Sequence, residues 1–251
     1  MPLPFAGIDG CRGGWIVARW DGNANLRLMR VAAVADVFDA PQPPVTAAVD
    51  MPIGLPERIG AKGRAPERLV RPLLGKRQSS VFSVPSRAAV MAGIGDGDES
   101  ERYRAACAAA RASSDPPRAV AKQCFHLFPK IAEVDLLLRN RPELCNQLVE
   151  CHPEVAFFVM NGQRALELPK KVHNRPHPPG LDLRIRLLEA WGIPTDLLNE
   201  QNARALGAGL DDLVDACACA VSARRMSDGK ALSFPDPPER DAFGLPVAIV
   251  A

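Results

Sequence analysis

No stretch of about 18 uninterrupted apolar residues occurs in this sequence, and no basic region followed by a long apolar segment opens it, so neither a membrane span nor a secretory leader is expected. The seven cysteines, at 11, 107, 124, 145, 151, 217 and 219, form no Cys-x-x-Cys pair and no zinc-type array. An odd count, with two cysteines in one alanine-rich helix, argues against a disulfide framework and for a reducing cytosol. No Gly-x-Ser-x-Gly elbow is present, which removes the serine hydrolase reading. Internal repeats are missing too, and low complexity is confined to the alanine-rich helices. Net charge is almost absent at +2, so any polyanion partner must be argued from local charge. What remains is a soluble, cytoplasmic chain of 251 residues whose 47% hydrophobic content is ample for a core.

Two short apolar strands each run out on an aspartate: Phe5-Ala6-Gly7-Ile8-Asp9-Gly10 and Val45-Thr46-Ala47-Ala48-Val49-Asp50-Met51-Pro52. Between them, Trp15 to Trp20 and Leu26 to Val31 read as strands joined by the Asp21-Gly22-Asn23 turn, and Ala32 to Asp39 as one short helix. The order is β-β-β-α-β. If the first and fourth strands are parallel neighbours, their backbones lie about 4.7–4.9 Å apart and both carboxylates emerge at one edge. Such carboxylates repel unless a cation bridges them, which suggests a metal site. The plainer readings are an Asp-Gly turn at Asp9 and a strand terminus satisfied by amides at Asp50.

After Pro52 the chain turns rich in proline, arginine and lysine, then helical over about Glu99 to Ala112 and Pro117 to Arg139. A fifth strand is expected at Gln147 to His152, before Pro153. There Glu150 and His152 alternate onto one face, placed to act as a further ligand or proton carrier, or, for Glu150, as one half of a salt bridge. A lysine, histidine and proline loop follows from Pro169 to Gly180, with helices over about Leu181 to Trp191 and Asp211 to Arg225. The tail from Ser233 to Ala251 carries four prolines and reads as an irregular arm. The expected organisation is one domain with its core over about 5–52 and 147–225, a helical insertion over about 53–145 and an arm over about 226–251.

In the last helix, Asp212 and Asp215 stand three residues apart and share a face. Residues 216 to 221 (Ala-Cys-Ala-Cys-Ala-Val) are apolar all round, as in a helix packed closely against something else. Asp211 or Asp212 can serve simply as a helix cap after Gly207 and Gly209. Asp215 cannot, and a carboxylate entering a buried surface needs a cation.

Six segments in order resemble the domain of unknown function 429 family, a set of predicted nucleases with a ribonuclease-H-like fold: residues 7–15, Asp50 to Pro56, Arg77 to Phe82, Lys130 to Asp135, Glu150 to Glu154, and Asp211 to Ala216. The resemblance covers about residues 5 to 225. It implies an α/β fold built on a mixed five-stranded sheet of order 3-2-1-4-5 with flanking helices. It also implies an acidic site made by a first-strand Asp, a fourth-strand acid and acids of the last core helix, which fall at Asp9, Asp50, Asp212 and Asp215. Unlike ribonuclease H, the stretch Ala32 to Asp39 holds no Glu, so that place passes to Glu150 or the helix pair.

Carboxylates of this kind suit Mg²⁺ or Mn²⁺ and phosphodiester hydrolysis with two ions about 3.5–4 Å apart. A phosphate-rich substrate such as nucleic acid accounts for the segment Arg58 to Arg87, where Arg58, Lys62, Arg64, Arg68, Arg71, Lys76, Arg77 and Arg87 face only Glu67, a local excess of +7. Ser79 and Ser80 add hydroxyl donors, and Lys130 lies in a family segment. The plainer reading of these cations is solvated surface. Lys170, Lys171, His173, Arg175 and His177 form a smaller basic loop. Two other functions stay open: a noncatalytic nucleic-acid-binding or scaffold module, and an ATP-dependent phosphotransferase of the actin-like superfamily.

Overall fold

The computed structural model of the chain describes residues 4–173 and 175–251. It begins with strands β1 (Phe5–Cys11), β2 (Gly14–Trp20) and β3 (Leu26–Val31), a 3-10 turn at Val34–Val37, and β4 (Thr46–Val49). Helices α1 (Ala65–Val70), α2 (Arg87–Gly93), α3 (Glu99–Ala112), α4 (Lys122–Phe125) and α5 (Phe128–Asn140) lead to β5 (Leu148–Glu150). Then come α6 (Pro153–Met160), a two-stranded hairpin of β6 (Lys171–Val172) and β7 (Arg175–Pro176), and helices α7 (Pro178–Ala190), α8 (Glu200–Ala205) and α9 (Leu210–Ser227). Strands β8 (Ser233–Arg240) and β9 (Pro246–Val250) complete the fold.

The main sheet runs β3-β2-β1-β4-β5-β9-β8, so the expected 3-2-1-4-5 order is present and is extended by two strands. A two-residue turn at Arg12-Gly13, with Gly13 at φ 73°, lets β1 fold back on β2 so that Asp9 faces Ile16. The β1 and β4 strands are parallel, with Phe5 beside Thr46 and Ile8 beside Val49, and Asp9 and Asp50 are each the next residue. Beyond β4, β5 is also parallel, pairing Val49 with Glu150.

Three expectations change. The stretch Ala32 to Asp39 forms only the one-turn 3-10 piece. The helix expected over Pro117 to Arg139 is split into α4 and α5, because Pro129 has no amide to donate and fits only a first turn. The proline-rich tail is a hairpin, not an irregular arm. Its apolar end, β9, is a buried parallel neighbour of β5 through Glu150 and Ile249, while Pro235, Pro237 and Pro238 fall on β8, an edge strand that needs donors on one side only, and Pro246 opens β9.

Both faces of the sheet are covered. On one, Ala6, Ile8, Trp15 and Val17 share a core with Val90, Ala106, Cys124, Phe128 and Ile131, so helices α2 to α5 form a full layer. On the other, Ile16, Ala18 and Ala48 pack against Phe157, Ala216 and Ala220. Gly7 sets the closeness of this second layer: a Cβ there would sit 1.8 Å from the Ala216 carbonyl oxygen and 2.2 Å from the Ala220 nitrogen. Helix α9 therefore lies directly on β1, and small residues on both surfaces make that approach possible. The sequence pattern Ala-Cys-Ala-Cys-Ala is the helix half of this joint.

Candidate active site

Register brings the two strand-end aspartates together. The Asp50 amide donates to the Ile8 carbonyl at 2.9 Å, and the Gly10 amide donates to Asp9 Oδ1 at 2.8 Å. Both carboxylates line a small cleft of about 110 Å³ that also receives Glu150 and His152, with Met51 and Phe82 on its apolar wall. Burial pushes the Asp9 carboxyl well above its ordinary value, and Asp50, Asp212 and Asp211 add to this against the opposing Lys170. Burial raises Asp50 as well, with His152 and Lys170 opposing.

Helix α9 delivers the remaining acids. Asp212 accepts the Gly209 amide at 2.9 Å, which makes it the helix cap, and its carboxyl is still raised by burial. Asp215, one turn further, is buried and ion-paired with Lys170, while its Oδ1 has no partner. Asp211 pairs with Lys171 at 2.6 Å. The loop from 169 to 180, apart from position 174, which lies outside the described residues, is thus no bystander: it inserts two ammonium groups among four aspartates. In the sequence it read as a smaller basic loop, with nothing that tied its lysines to the aspartates of the last helix.

Among the described residues, no three His, Cys, Asp or Glu side chains are drawn close enough to enclose a metal ion. The donor chemistry nevertheless fits a hard divalent cation, since the converging ligands are carboxylates and one buried carboxylate oxygen is unpartnered.

The basic segment divides in two. Arg64 is buried, its Nε 2.9 Å from Glu67 and its Nη2 2.7 Å from Glu150, while its Nη1 donates to the Ile53 and Gly54 carbonyls. The other Glu150 oxygen accepts the Ile53 amide at 2.8 Å, so Glu150 is a salt-bridge partner with both oxygens engaged. Burial raises its carboxyl, with Arg64 opposing. Arg87 is likewise buried between Asp135 and Asp241 and lies over the Phe243 ring at 4.5 Å. These two guanidinium groups are committed to the fold and are not free for a polyanion. Asp241 and Phe243 carried no recognisable signal in the sequence.

Arg71 is half-buried and donates to Val81 O at 3.2 Å and Ser83 Oγ at 2.9 Å. Arg68, Lys76, Ser79 and Ser80 are exposed and Arg77 is half-buried. The Ser80 hydroxyl donates to Arg77 O, and the Ser80 carbonyl lies 3.3 Å from His152 Nε2, which joins this stretch to the cleft. His152 Nδ1 has no partner. Lys130 passes over Gly10, donates to the Gly14 carbonyl and lies 4.1 Å above the Trp15 ring, while Glu133 accepts the Trp15 indole at 3.0 Å. Both residues fasten the β1–β2 turn beside Asp9.

No curated protein and no solved structure matches the chain. A family match covers nearly all of it, over residues 7–240, and on that match the chain belongs to the family described as protein of unknown function (DUF429).

Proposed function

We propose that this protein is a metal-dependent phosphodiester hydrolase, nuclease-like, acting on nucleic acid at the cleft between Asp9 and Asp50. The observation that carries the reading is the adjacency of these two strand-end carboxylates, Asp9 buried and Asp50 half-buried, in a cleft that also holds Glu150. Such crowding is costly without a cation, and sites of this kind are where function concentrates.

Asp9, Asp50 and Asp215 are the residues to hold Mg²⁺ or Mn²⁺, which would supply an acidified water and neutralise charge on the phosphate. His152, tethered at Nε2 to the Ser80 carbonyl and unpartnered at Nδ1, is the group placed to carry a proton into or out of the cleft. Arg68, Lys76, Arg77, Ser79 and Ser80 lie on the Ser80 side and would hold neighbouring phosphates of a polyanion.

The test is cleavage of labelled single-stranded, duplex and branched DNA and RNA in Mn²⁺ and in chelator. Cleavage in Mn²⁺ only, lost in Asp9→Asn and Asp50→Asn, is the expected result. If no substrate is cut and Mn²⁺ leaves the melting temperature unchanged, the hydrolase reading fails.

A further inference from the structure

Phe82 and Val84 line the Asp9/Asp50 cleft and also line a second, larger cavity of about 340 Å³. Ile59, Ala119, Val120 and Cys124 supply most of its apolar surface, and Ser83 and Arg118 are among its polar members. Bonds between its walls give it a fixed shape. The Ile59 amide donates to the Ser113 carbonyl at 2.9 Å, and the Ile59 carbonyl accepts the Asp115 amide at 2.8 Å. The Ser86 and Ser113 hydroxyls meet at 2.6 Å, and Ser114 Oγ accepts the Arg118 amide at 2.8 Å. A preformed and largely apolar cavity of this volume falls within the ~300–1,000 Å³ range of small-molecule sites.

Two features say what chemistry would fill it. The backbone groups of Phe82, Ser83 and Val84 make no hydrogen bond to the protein among the described residues, so donors and acceptors stand unused along one wall, although Val84 is buried. A flat ring with polar edges matches that wall: its faces take apolar contact and its edge takes backbone hydrogen bonds. The second feature is charge. Arg118 is exposed, and its guanidinium has no partner among the described residues. Arg71 Nη2 donates to Ser83 Oγ at 2.9 Å, which carries the basic segment up to this cavity as well as to the cleft. A ring attached to phosphate is a nucleotide.

We infer that this cavity receives one unpaired base of the bound strand, with the Phe82 ring as a stacking surface and Arg118 on a flanking phosphate, so that the substrate is single-stranded or locally unpaired nucleic acid. This rests on the hydrolase reading and deepens it. Because Phe82 and Val84 belong to both cavities, a strand whose phosphate lies in the cleft has a neighbouring base beside the second one. A paired base could enter only after leaving its stack, so an unpaired one enters at lower cost.

The experiment measures fluorescence anisotropy in chelator, with a labelled single strand, an abasic strand bearing the same number of phosphates, and a duplex. The proteins are the wild type, Arg118→Gln, Phe82→Leu and the double variant Ala119→Leu/Ala121→Leu, which fills the cavity with aliphatic groups that offer no ring for stacking; melting temperatures check that each is folded. The wild type should prefer the base-bearing strand to the abasic one by about tenfold or more, the worth of one stacked base. That preference should vanish in the filled variant and shrink in Phe82→Leu, while Arg118→Gln should weaken both strands alike. Duplex affinity should be the same in the wild type and the filled variant. Equal wild-type affinity for the two strands, or a preference that survives intact in either cavity variant, would overturn the inference and leave the hydrolase reading to its own cleavage test. A preference lost on filling, with no strand cut in Mn²⁺, would uphold the base site and sink the hydrolase. Absence of binding to every strand would overturn both.

Discussion

Arg64 and Arg68 belong to one basic run in the sequence, yet they do unlike work. Arg64→Met would strand Glu67 and Glu150 in the interior without their cation and should cost about 3–5 kcal/mol, whereas exposed Arg68→Met should stay within about 0.5 kcal/mol. Urea unfolding of the two variants separates them, and equal midpoints would show that the buried triad is not the fastener described. Asp9 governs a different experiment. Its carboxyl lies well above the ordinary value of 3.8, so between those values the folded protein keeps a proton that the unfolded chain gives up. Stability is therefore fullest at and below the ordinary value and falls as pH rises through the raised one. Asp9→Asn is neutral throughout and should be more stable than the metal-free wild type near neutral pH by about 1 kcal/mol or more. Melting temperatures in chelator across acid to neutral pH should fall less steeply for the variant; parallel curves would assign the pH dependence elsewhere. Asp9 and Asp50 were legible in the sequence because a strand end is a local pattern. Arg64 and Arg87 were not, because Glu150 and Asp241, which complete their ion pairs, lie 86 and 154 positions away.

Between elements, the decisive joint is α9 on β1. Gly7→Ala would drive a methyl into the Ala216 carbonyl, and backbone cannot swing aside as a side chain can. The expected cost is ~3 kcal/mol, the upper part of the overpacking range. Because the same helix carries Asp215, the displacement should also weaken Mn²⁺ binding in the folded fraction. A Gly7→Ala protein with wild-type stability and Mn²⁺ affinity would refute the tight seating. The helix half of this joint was readable from its small residues, and the strand half only from a glycine whose partner the sequence did not name. The last hairpin was misread for a physical reason. Four prolines signal irregular chain when counted along the sequence, but the three on the outer strand leave unmade only bonds that the sheet edge never needed.

At the scale of the molecule, a net charge of +2 conceals a separation of charge. The cations Arg68, Lys76 and Arg77 follow the Asp50 strand end in the chain, and under the proposed function they would draw a polyanion to the rim of the cleft. Replacing Arg68, Lys76 and Arg77 together by Glu should weaken nucleic-acid binding and flatten its salt dependence, by about 0.9 in the logarithmic slope for each lost contact to duplex DNA. Thermal stability should stay near the wild type, since none of the three sits in a buried ion pair. Unchanged binding across a salt series would identify this rim as ordinary surface. The β-β-β-α-β opening foretold the centre of the sheet. The covering layers depended on contacts between distant segments, and no local pattern reports those.

The seating of α9 on Gly7 has a consequence for synthesis. During translation β1 leaves the ribosome well ahead of Ala216 and Ala220, which cover it, and of Ile249, which completes the neighbouring edge of β5. The central strands must wait with one face bare while almost all of the chain is made. Such distant pairings close slowly and expose apolar surface in the interval. Nascent chains of this protein should therefore lean on holding chaperones until α9 arrives, and Asp211, Asp212 and Asp215 join the sheet edge only at that moment.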